Sequence, residues 1–307
     1  MVSNILIGGT GFIGTALSTA LAERGERVVS ISRHGRHESI SGVLDECCDI
    51  ADVRKLSSIV DRGTDIFVLT GQVGPDFDSG NEMKNLGGIA GVLAKSTGKR
   101  IFYVSSAFVY GNTDIPAEES FPCNPIEPYS IFKLESERLL QTLLSQHRLV
   151  VFRVSNVYGS PKNRGIIGLL LKNLFESDGG IVRINGDGSQ TRDYVFLDDV
   201  IEAMVAVKET SCDFGSDTVN ISFGRSFSVL DIIKSIEEIS DKKLRYEITN
   251  VFLDEIRDMH VSNEKLGRKY AYKPKTSLRV GLQKTIARYR EAYRELKNKP
   301  SSPEKRV

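Results

Sequence analysis

The fold of this chain is decided by residues 4–14, which read Asn4-Ile5-Leu6-Ile7-Gly8-Gly9-Thr10-Gly11-Phe12-Ile13-Gly14. The short apolar run predicts a buried strand, and apolar residues with helical period follow the last glycine. Glycines three residues apart let the backbone approach a pyrophosphate, which the helix N-terminus also attracts. The residues predicted to bind a dinucleotide here are Gly8, Gly11, Phe12, Ile13 and Gly14. The alternative is a glycine-rich turn without a ligand.

The second predicted strand, Arg27 to Ser32, completes a βαβ unit and bears on the choice of cofactor. NAD-binding chains usually carry an acidic residue after this strand, where it binds the ribose 2′-hydroxyl. This chain reads Ser32-Arg33-His34-Gly35-Arg36 instead. Arginine attracts a 2′-phosphate that a carboxylate would repel, so Ser32, Arg33 and Arg36 predict NADP(H) rather than NAD(H). The alternative is that both arginines are solvated loop charges.

Strands alternate with helices through the first half of the chain, which predicts an α/β fold with a Rossmann-type, doubly wound parallel sheet. Ligands of such sheets bind at the carboxyl ends of the strands. Four further predicted strands end in candidate site residues, which are Asp49-Ile50, Thr70-Gly71, Ser105-Ser106 and Arg153 to Asn156. Asp49 and Ile50 are candidates to flank an adenine ring, although Asp49 could equally cap the helix from Val53. We therefore expect one shared site, with Thr70 and Gly71 on its cofactor side.

Composition excludes several classes of protein. The 307 residues carry a net charge of +1, which does not favour a nucleic-acid partner, and no apolar run approaches a membrane span of about 18 residues. Cys47, Cys48, Cys123 and Cys212 fit neither a disulfide framework nor a zinc site. We expect reduced thiols, no metal and a cytoplasmic location. A nucleophilic Cys123 is the alternative for that residue.

The second half of the chain is less regular than the first. We predict a dinucleotide-binding domain over residues 1–155 plus about 193–240, and a smaller α/β substrate domain over about 156–192 and 241–296. No composition shift marks a linker between them, so the substrate domain is expected to be interleaved with the first domain. Residues 297–307 are polar and interrupted by proline, which predicts a disordered tail.

Six motifs, in this order, resemble those of the extended short-chain dehydrogenase/reductases, specifically the nucleotide-sugar epimerase/dehydratase/reductase group. They are Gly8 to Gly14, Ser105-Ser106-Ala107-Phe108-Val109-Tyr110-Gly111, Tyr129-Ser130-Ile131-Phe132-Lys133, Arg153 to Gly159, Gly186 to Val195, and Tyr272-Lys273-Pro274. The resemblance extends to about residue 296. It also implies a homodimer formed by two helices of each subunit, one after Asn85 and one from Tyr129, with Leu139 and Leu143 on the buried face.

The resemblance implies that Tyr129 is the acid/base, Lys133 its partner and a ribose ligand, and Ser106 the hydroxyl that holds the substrate oxygen. The spacing of Tyr129 and Lys133 puts both side chains on one helical face. A cation about 4 Å away contributes roughly 4 kcal/mol at an effective dielectric near 20. That would lower the tyrosine pKa by up to about 3 units from its usual value near 10. The alternative is that Tyr129 and Lys133 form a structural pair on the helix without a catalytic role.

For the substrate, the resemblance implies a UDP- or dTDP-linked sugar. Asn156 would bind a phosphate oxygen and Arg192 the diphosphate. Arg257 is a further candidate, although its segment is out of register with the usual pattern. The segment Thr70 to Gly74 also departs from the family pattern.

Two departures bear on the reaction. The family's 4,6-dehydratases carry an Asp-Glu pair where this chain has Ala107-Phe108, so we reject dehydration. Ser32-Arg33 favours an exchanging NADPH. We therefore expect an NADPH-dependent 4-reductase of a nucleotide-linked 4-keto-6-deoxy sugar that serves polysaccharide biosynthesis. The alternative is a 4-epimerase of the UDP-glucose or UDP-GlcNAc type with tightly bound NAD. A non-catalytic NADP(H)-sensing protein is a third possibility.

Overall fold

The computed structural model describes residues 4–36, 39–71, 77–175, 180–210, 215–251 and 256–298, with only the backbone for residues 295–298. Three features named above lie outside this range: Gln72 to Gly74, Cys212 and the residues of the predicted tail from 299 on. The last helix includes residues 297 and 298, which the sequence assigns to the disordered tail.

The main sheet has seven strands among the described residues, and every neighbouring pair is parallel. In spatial order these are β10 (Asp217–Ile221), β6 (Arg148–Val154), β5 (Arg100–Ser106), β4 (Asp65–Val68), β1 (Asn4–Ile7), β2 (Val28–Ser32) and β3 (Val43–Cys47). The central strands are buried because helices cover both faces of the sheet. The predicted doubly wound α/β fold is confirmed.

Helices form two layers on this sheet. One face is covered by α2 (Val53–Val60), α3 (Ser79–Lys95) and α4 (Pro128–Leu143), and the other by α1 (Phe12–Glu23), α6 (Leu197–Thr210) and α8 (Glu264–Tyr270). The α3 helix begins at Ser79, before the predicted start, because the Asp78 side chain caps it by accepting from Asn81 N at 3.0 Å. The sequence did not predict α8.

A smaller part of the chain packs beside the carboxyl end of the sheet. It contains β7 (Asn156–Tyr158), α5 (Ile166–Phe175), β8 (Val182–Ile184), β9 (Thr191–Phe196), β11 (Ser226–Ser228), α7 (Val229–Ser240), β12 (Tyr246–Ile248) and α9 (Leu278–Asn298). Its strands form a β11-β9-β7 sheet and a β12-β8 pair. Helices α5, α7 and α9 share one apolar cluster. Because α6 and β10 return to the main sheet between these elements, the two parts are interleaved, although the exact division predicted at residues 193 and 240 stays a prediction.

Candidate active site

The glycine turn brings backbone N–H groups to the carboxyl edge of the sheet. Gly8 has a φ of +87°, which favours glycine, and a Cβ on Gly14 would lie 2.5 Å from the Gly8 carbonyl oxygen. The α1 helix begins at Phe12 with Gly11 as its N-cap, so no cap side chain covers the N–H groups of the first turn. This geometry fits a cofactor pyrophosphate at Gly11 to Gly14.

The two arginines after β2 have different environments. Arg33 is exposed. Arg36 instead folds beneath the glycine turn, where its Nε lies 2.8 Å from Asp45 Oδ1 and its Nη2 donates to the Gly9 carbonyl oxygen at 2.7 Å. Its Nη1 is buried without a hydrogen-bond partner among the described residues. The alternative of two solvated charges is therefore wrong for Arg36, whereas a contact of either arginine with a 2′-phosphate stays a prediction. Ser32 Oγ accepts from the backbone N–H of the same loop.

The residues expected near the adenine follow β3. The α2 helix begins at Val53 as predicted, but its cap is Asp52, which accepts from Lys55 N at 3.0 Å. Asp49 accepts from Ala51 N at 2.9 Å, so the cap role considered for Asp49 is wrong. Ile50 is partly buried against the sheet core. A contact of Asp49 and Ile50 with adenine stays a prediction.

Lys133 is almost fully buried on α4, at 3% exposure. Its Nζ donates to the carbonyl oxygens of Val104 at 2.8 Å and Thr70 at 3.3 Å, which ties the helix to the ends of β4 and β5. A Cβ on Gly71, whose φ is +139°, would lie 2.7 Å from that ammonium. Burial lowers the pKa of Lys133 to about 8, an effect that nearby carboxylates partly offset. The structure thus brings Lys133, Thr70 and Gly71 together.

Tyr129 opens the same helix, whose first turn is set by Pro128 and by the Ser130 hydroxyl, which accepts from Glu127 N at 3.1 Å. The Lys133 ammonium lies 5.8 Å from the centroid of the Tyr129 ring. Burial raises the pKa of Tyr129 above its usual value, and the Glu82 carboxylate raises it further. The direction is opposite to the expected lowering, because burial disfavours the charged phenolate and the Glu82 carboxylate repels it.

Ser106 is the last residue of β5. Its Oγ accepts from Phe108 N at 3.2 Å and caps a 3₁₀ turn over Ala107–Tyr110. The hydroxyl proton has no acceptor in the part of the chain that the structure describes. Ser106 can therefore donate to a ligand oxygen at the edge of the sheet where Lys133 lies.

A buried polar network behind these groups was not predicted. Ser105 Oγ donates to Glu137 Oε1 at 2.5 Å, and Glu137 pairs with Arg153, whose Nη2 lies 2.7 Å from Oε2. Arg153 Nη1 also donates to the Tyr110 hydroxyl at 3.1 Å, and that hydroxyl donates to Asn220 Oδ1 at 2.7 Å. The sequence signal was the position of Glu137, one helical turn after Lys133. The network ties α4 to β5, β6 and β10.

The predicted substrate residues lie on the smaller part of the molecule. Arg192 Nη1 donates to the carbonyl oxygens of Thr191 and Arg257, at 2.9 and 3.0 Å, and its Nη2 donates to that of Ile256. Its guanidinium carbon is 6.0 Å from the Phe108 ring centroid. Arg257 is 61% exposed, and its Nη2 donates to a serine hydroxyl at 3.4 Å. The structure therefore brings Arg192 beside the turn that follows Ser106, with Arg257 on the adjoining loop.

Asn156 lies on β7, next to β9. Its Nδ2 donates to the Asp193 carbonyl oxygen at 3.2 Å. The Asp193 carboxylate is buried and accepts three backbone N–H groups from residues 223–225 at 2.7–3.0 Å. Burial raises its pKa to about 7, against the lowering by those donors. Sequence reasoning did not single out Asp193, which joins β9 to the loop after β10.

Residues 5–222 match the NAD dependent epimerase/dehydratase family. The chain belongs to this family. It is 25% identical over 317 residues to UDP-glucose 4-epimerase of Mycolicibacterium smegmatis, covering 93% of this chain and 98% of the relative. It is 25% identical over 263 residues to dTDP-4-dehydro-6-deoxyglucose reductase of Escherichia coli, covering 78% and 82%. UDP-glucuronic acid 4-epimerase of Bacillus cereus, solved with UDP-glucuronic acid and NAD, superposes with a TM-score of 0.86 at 25% identity, covering 95% and 100% of the two chains.

Family membership confirms the resemblance and the class of enzyme. Members are NAD-dependent oxidoreductases and epimerases that act on nucleotide sugars. Among the residues that the structure describes, no group of three or more His, Cys, Asp or Glu side chains could hold a metal ion. A search of the same residues found no helix with the length and hydropathy of a membrane span.

Proposed function

We propose that this chain is a nucleotide-sugar 4-epimerase, which oxidises and re-reduces the C4 carbon of a nucleotide-linked sugar. The observation that carries the proposal is that Lys133, four residues after Tyr129 on α4, donates to the Val104 carbonyl oxygen, two residues before Ser106. The sequence alone favours a 4-reductase. The relatives from Mycolicibacterium smegmatis and Bacillus cereus, which match over more than nine tenths of both chains, are 4-epimerases, so we place the epimerase first.

The chain's own residues supply the proton transfer. Ser106 donates a hydrogen bond to the C4 oxygen, and this preorganised donor stabilises negative charge that develops there. Tyr129 takes the proton from the C4 hydroxyl as the ketone forms and returns it as the alcohol re-forms. The bound nicotinamide cofactor supplies the hydride acceptor and donor. Lys133 binds the nicotinamide ribose in this proposal, and its hydrogen bonds to two carbonyls support the role because they keep α4 at the sheet edge.

The residues for the cofactor are those of the glycine turn with Thr70 and Gly71. A preference for NADP(H) is a separate proposal from the choice of reaction, and Arg33 supports it because this cation is exposed and follows β2 directly, where a carboxylate would select NAD. Arg36 supports it less, since Asp45 already pairs with its guanidinium. Titration of NADPH and NADH against the unaltered protein and an Arg33→Asp variant tests the preference. Equal affinities in the unaltered protein would refute it.

For the substrate, we propose a UDP- or dTDP-sugar whose diphosphate lies at Asn156 and Arg192. Arg192 supports this because a planar guanidinium suits phosphate oxygens. Arg257 is retained as a second, exposed contact. A cytoplasmic location and a part in polysaccharide synthesis accompany this proposal as predictions.

The second candidate is the NADPH-dependent 4-reductase, which one observation in the site favours. Because burial and Glu82 raise the pKa of Tyr129, the phenol is held in its protonated form. A protonated phenol suits proton donation to an alkoxide, the reductive direction, better than proton removal from a hydroxyl. The exposed Arg33 adds to this, since an exchanging NADPH serves a reductase.

One set of assays separates the two reactions. The purified protein is incubated with UDP-glucose, UDP-GlcNAc or UDP-glucuronate, and the C4 epimers are resolved by chromatography. In parallel, NADPH oxidation is followed with UDP- and dTDP-4-keto-6-deoxyglucose. Epimer formation without net NADPH oxidation supports the epimerase, stoichiometric NADPH oxidation supports the reductase, and activity with none of these compounds counts against both.

A variant pair tests the role of the phenol. Tyr129→Phe should lower kcat by roughly 10²- to 10⁴-fold because it removes the acid/base. Tyr103→Phe is the matched control, because the Tyr103 hydroxyl is buried on β5 without a hydrogen-bond partner among the described residues. A Tyr129→Phe enzyme as active as the control would support the non-catalytic, NADP(H)-sensing alternative.

We also propose a homodimer through α3 and α4, which pack side by side on one face of the sheet. Leu143 is 44% exposed and Ile131 is 45% exposed, so α4 keeps an apolar outer face. Leu139 instead packs partly against the core of its own chain, so it supports the interface less than predicted. Light scattering on the unaltered protein and on Leu143→Arg tests this. A monomeric unaltered protein would refute it.

A further inference from the structure

Phe108 is adjacent to both groups that the proposed function assigns to opposite ends of the sugar. Its backbone N–H donates to Ser106 Oγ at 3.2 Å. The centroid of its ring is 6.0 Å from the guanidinium carbon of Arg192. The ring therefore borders the space between the hydroxyl proposed to hold the C4 oxygen and the cation proposed to hold the diphosphate on C1.

Phe108 differs from the rest of its 3₁₀ turn in keeping an accessible surface. Ala107, Val109 and Tyr110 are fully buried, whereas Phe108 is half-buried. The buried side of Phe108 packs against an apolar cluster that includes Ile256, from a distant segment of the chain. That packing holds the side chain in place while part of its surface stays accessible.

The chemistry of a phenyl ring restricts what can lie against it. A hydroxyl or carboxylate placed there loses water without gaining a hydrogen-bond partner. In a pyranose held at C1 and C4, the C2–C3 edge carries two polar substituents, whereas the other edge carries the ring oxygen and the C6 carbon on C5. An aromatic side chain suits the second edge, and suits it best when C6 is a methyl group.

We propose that Phe108 is a specificity-determining residue that selects a nucleotide-linked 6-deoxy sugar by packing against its C6 methyl group. The inference rests on the proposed function, because that function supplies the two anchors of the sugar, at Ser106 and Arg192. It applies to the 4-epimerase and to the 4-reductase alike, since both hold the sugar between the same groups.

The test measures binding and turnover separately. Isothermal titration of the cofactor-loaded protein compares UDP-6-deoxyglucose, UDP-glucose and UDP-glucuronate, with the dTDP forms of the first two to allow for either base. We expect the 6-deoxy sugar to bind about 10- to 100-fold more tightly than the 6-hydroxy sugar, as expected for an unpaired hydroxyl in an apolar pocket, and the carboxylate to bind more weakly still. Chromatography of the reaction products measures kcat/KM for the same compounds.

Three variants assign the preference to this side chain. Phe108→Thr introduces a hydroxyl, so the affinities for the 6-deoxy and the 6-hydroxy sugar should come to within about threefold of each other. Phe108→Leu keeps the wall apolar and should retain most of the ratio. Phe121→Leu is the matched control, because Phe121 is another partly buried aromatic residue of the same cluster, and it should leave the ratio unchanged.

The outcomes separate this inference from the proposed function. Equal affinities of the unaltered protein for the 6-deoxy and 6-hydroxy sugars overturn the inference, as does a Phe108→Thr variant that keeps the full ratio. Selective binding of the 6-deoxy sugar, with neither epimer formation by chromatography nor NADPH oxidation, refutes the proposed function and supports the inference. Failure to bind any of the five compounds overturns both.

Discussion

The buried ion pair between Glu137 and Arg153 gives the most direct test of how α4 is held against the sheet. Its side chains are 2% and 9% exposed, and Arg153 Nη2 lies 2.7 Å from Glu137 Oε2. The Glu137→Gln substitution keeps the shape of the side chain but leaves a buried guanidinium without its counter-charge. Breaking a buried pair from one side costs about 3–5 kcal/mol. We expect the free energy of unfolding to fall by that amount.

Removing both charges should cost less than removing one. A buried pair replaced by apolar residues of similar volume is often neutral or stabilising. In the double variant Glu137→Met with Arg153→Met, Ser105 loses the acceptor of its 2.5 Å hydrogen bond, whereas Tyr110 keeps its bond to Asn220 at 2.7 Å. One orphaned buried hydroxyl costs about 1–3 kcal/mol. We therefore expect the double variant to be about 2 kcal/mol more stable than Glu137→Gln.

Urea unfolding followed by far-UV circular dichroism measures these differences, since the chain has no tryptophan. With a slope of about 3 kcal/mol per molar urea, a loss of about 3–5 kcal/mol lowers the midpoint by about 1–1.7 M. Glu135→Gln, on the same helix, is the control because it breaks the Arg138–Glu135 pair, whose side chains are 62% and 49% exposed. That change should stay below about 1 kcal/mol. A Glu137→Gln midpoint no lower than that of the control would refute the reasoning.

Three further predictions follow from the site. Burial lowers the pKa of Lys133 from 10.5 to about 8. Between pH 8 and 10.5 the unfolded chain therefore holds a proton on Lys133 that the folded chain has lost. The free energy of unfolding of the unaltered protein, relative to that of Lys133→Met, should therefore rise from pH 8 to 10.5, and a flat difference would contradict this. Gly14→Ala puts a Cβ 2.5 Å from a carbonyl oxygen of the turn and should weaken NADPH binding at least about tenfold in a fluorescence titration, whereas Gly215→Ala, in open space, should not. Burial raises the pKa of Asp193 from 3.8 to about 7, so between pH 4 and 7 the folded chain holds a proton on Asp193 that the unfolded chain has lost. Relative to Asp193→Asn, the free energy of unfolding of the unaltered protein in urea should therefore fall as the pH rises from 4 to 7. A rise over this range would contradict the prediction.

The local parts of the site were predictable because they depend on spacing along the chain. The glycines of residues 8–14 form one turn between a strand and a helix, and Tyr129 and Lys133 share a face because they are four residues apart. The α7 helix likewise begins directly after its cap Ser228, since the cap and the first turn are contiguous in the chain. The end of a parallel strand also locates a site in advance, which is why Thr70 and Ser106 lie near Lys133.

Contacts between distant segments could not be predicted in this way. The sequence predicts Arg36 as a 2′-phosphate ligand, with a solvated loop charge as the alternative, yet it lies beneath the glycine turn because Asp45, on the neighbouring strand, pairs with it. The helix α8 was missed because its short pattern becomes distinctive only when it packs against α6 and β10.

The sequence by itself determined the family of folds, the glycine turn and the candidate groups for proton transfer. The tertiary structure decided the charge environment of these groups. Burial raises the pKa of Tyr129, and the Lys133 ammonium donates hydrogen bonds to two backbone carbonyl oxygens. The same assembly brings the Phe108 ring beside Arg192. The physical reason is that spacing fixes which residues share a turn or a face. Burial, charge pairing and pocket shape depend instead on segments brought together only when the sheet and the smaller part assemble.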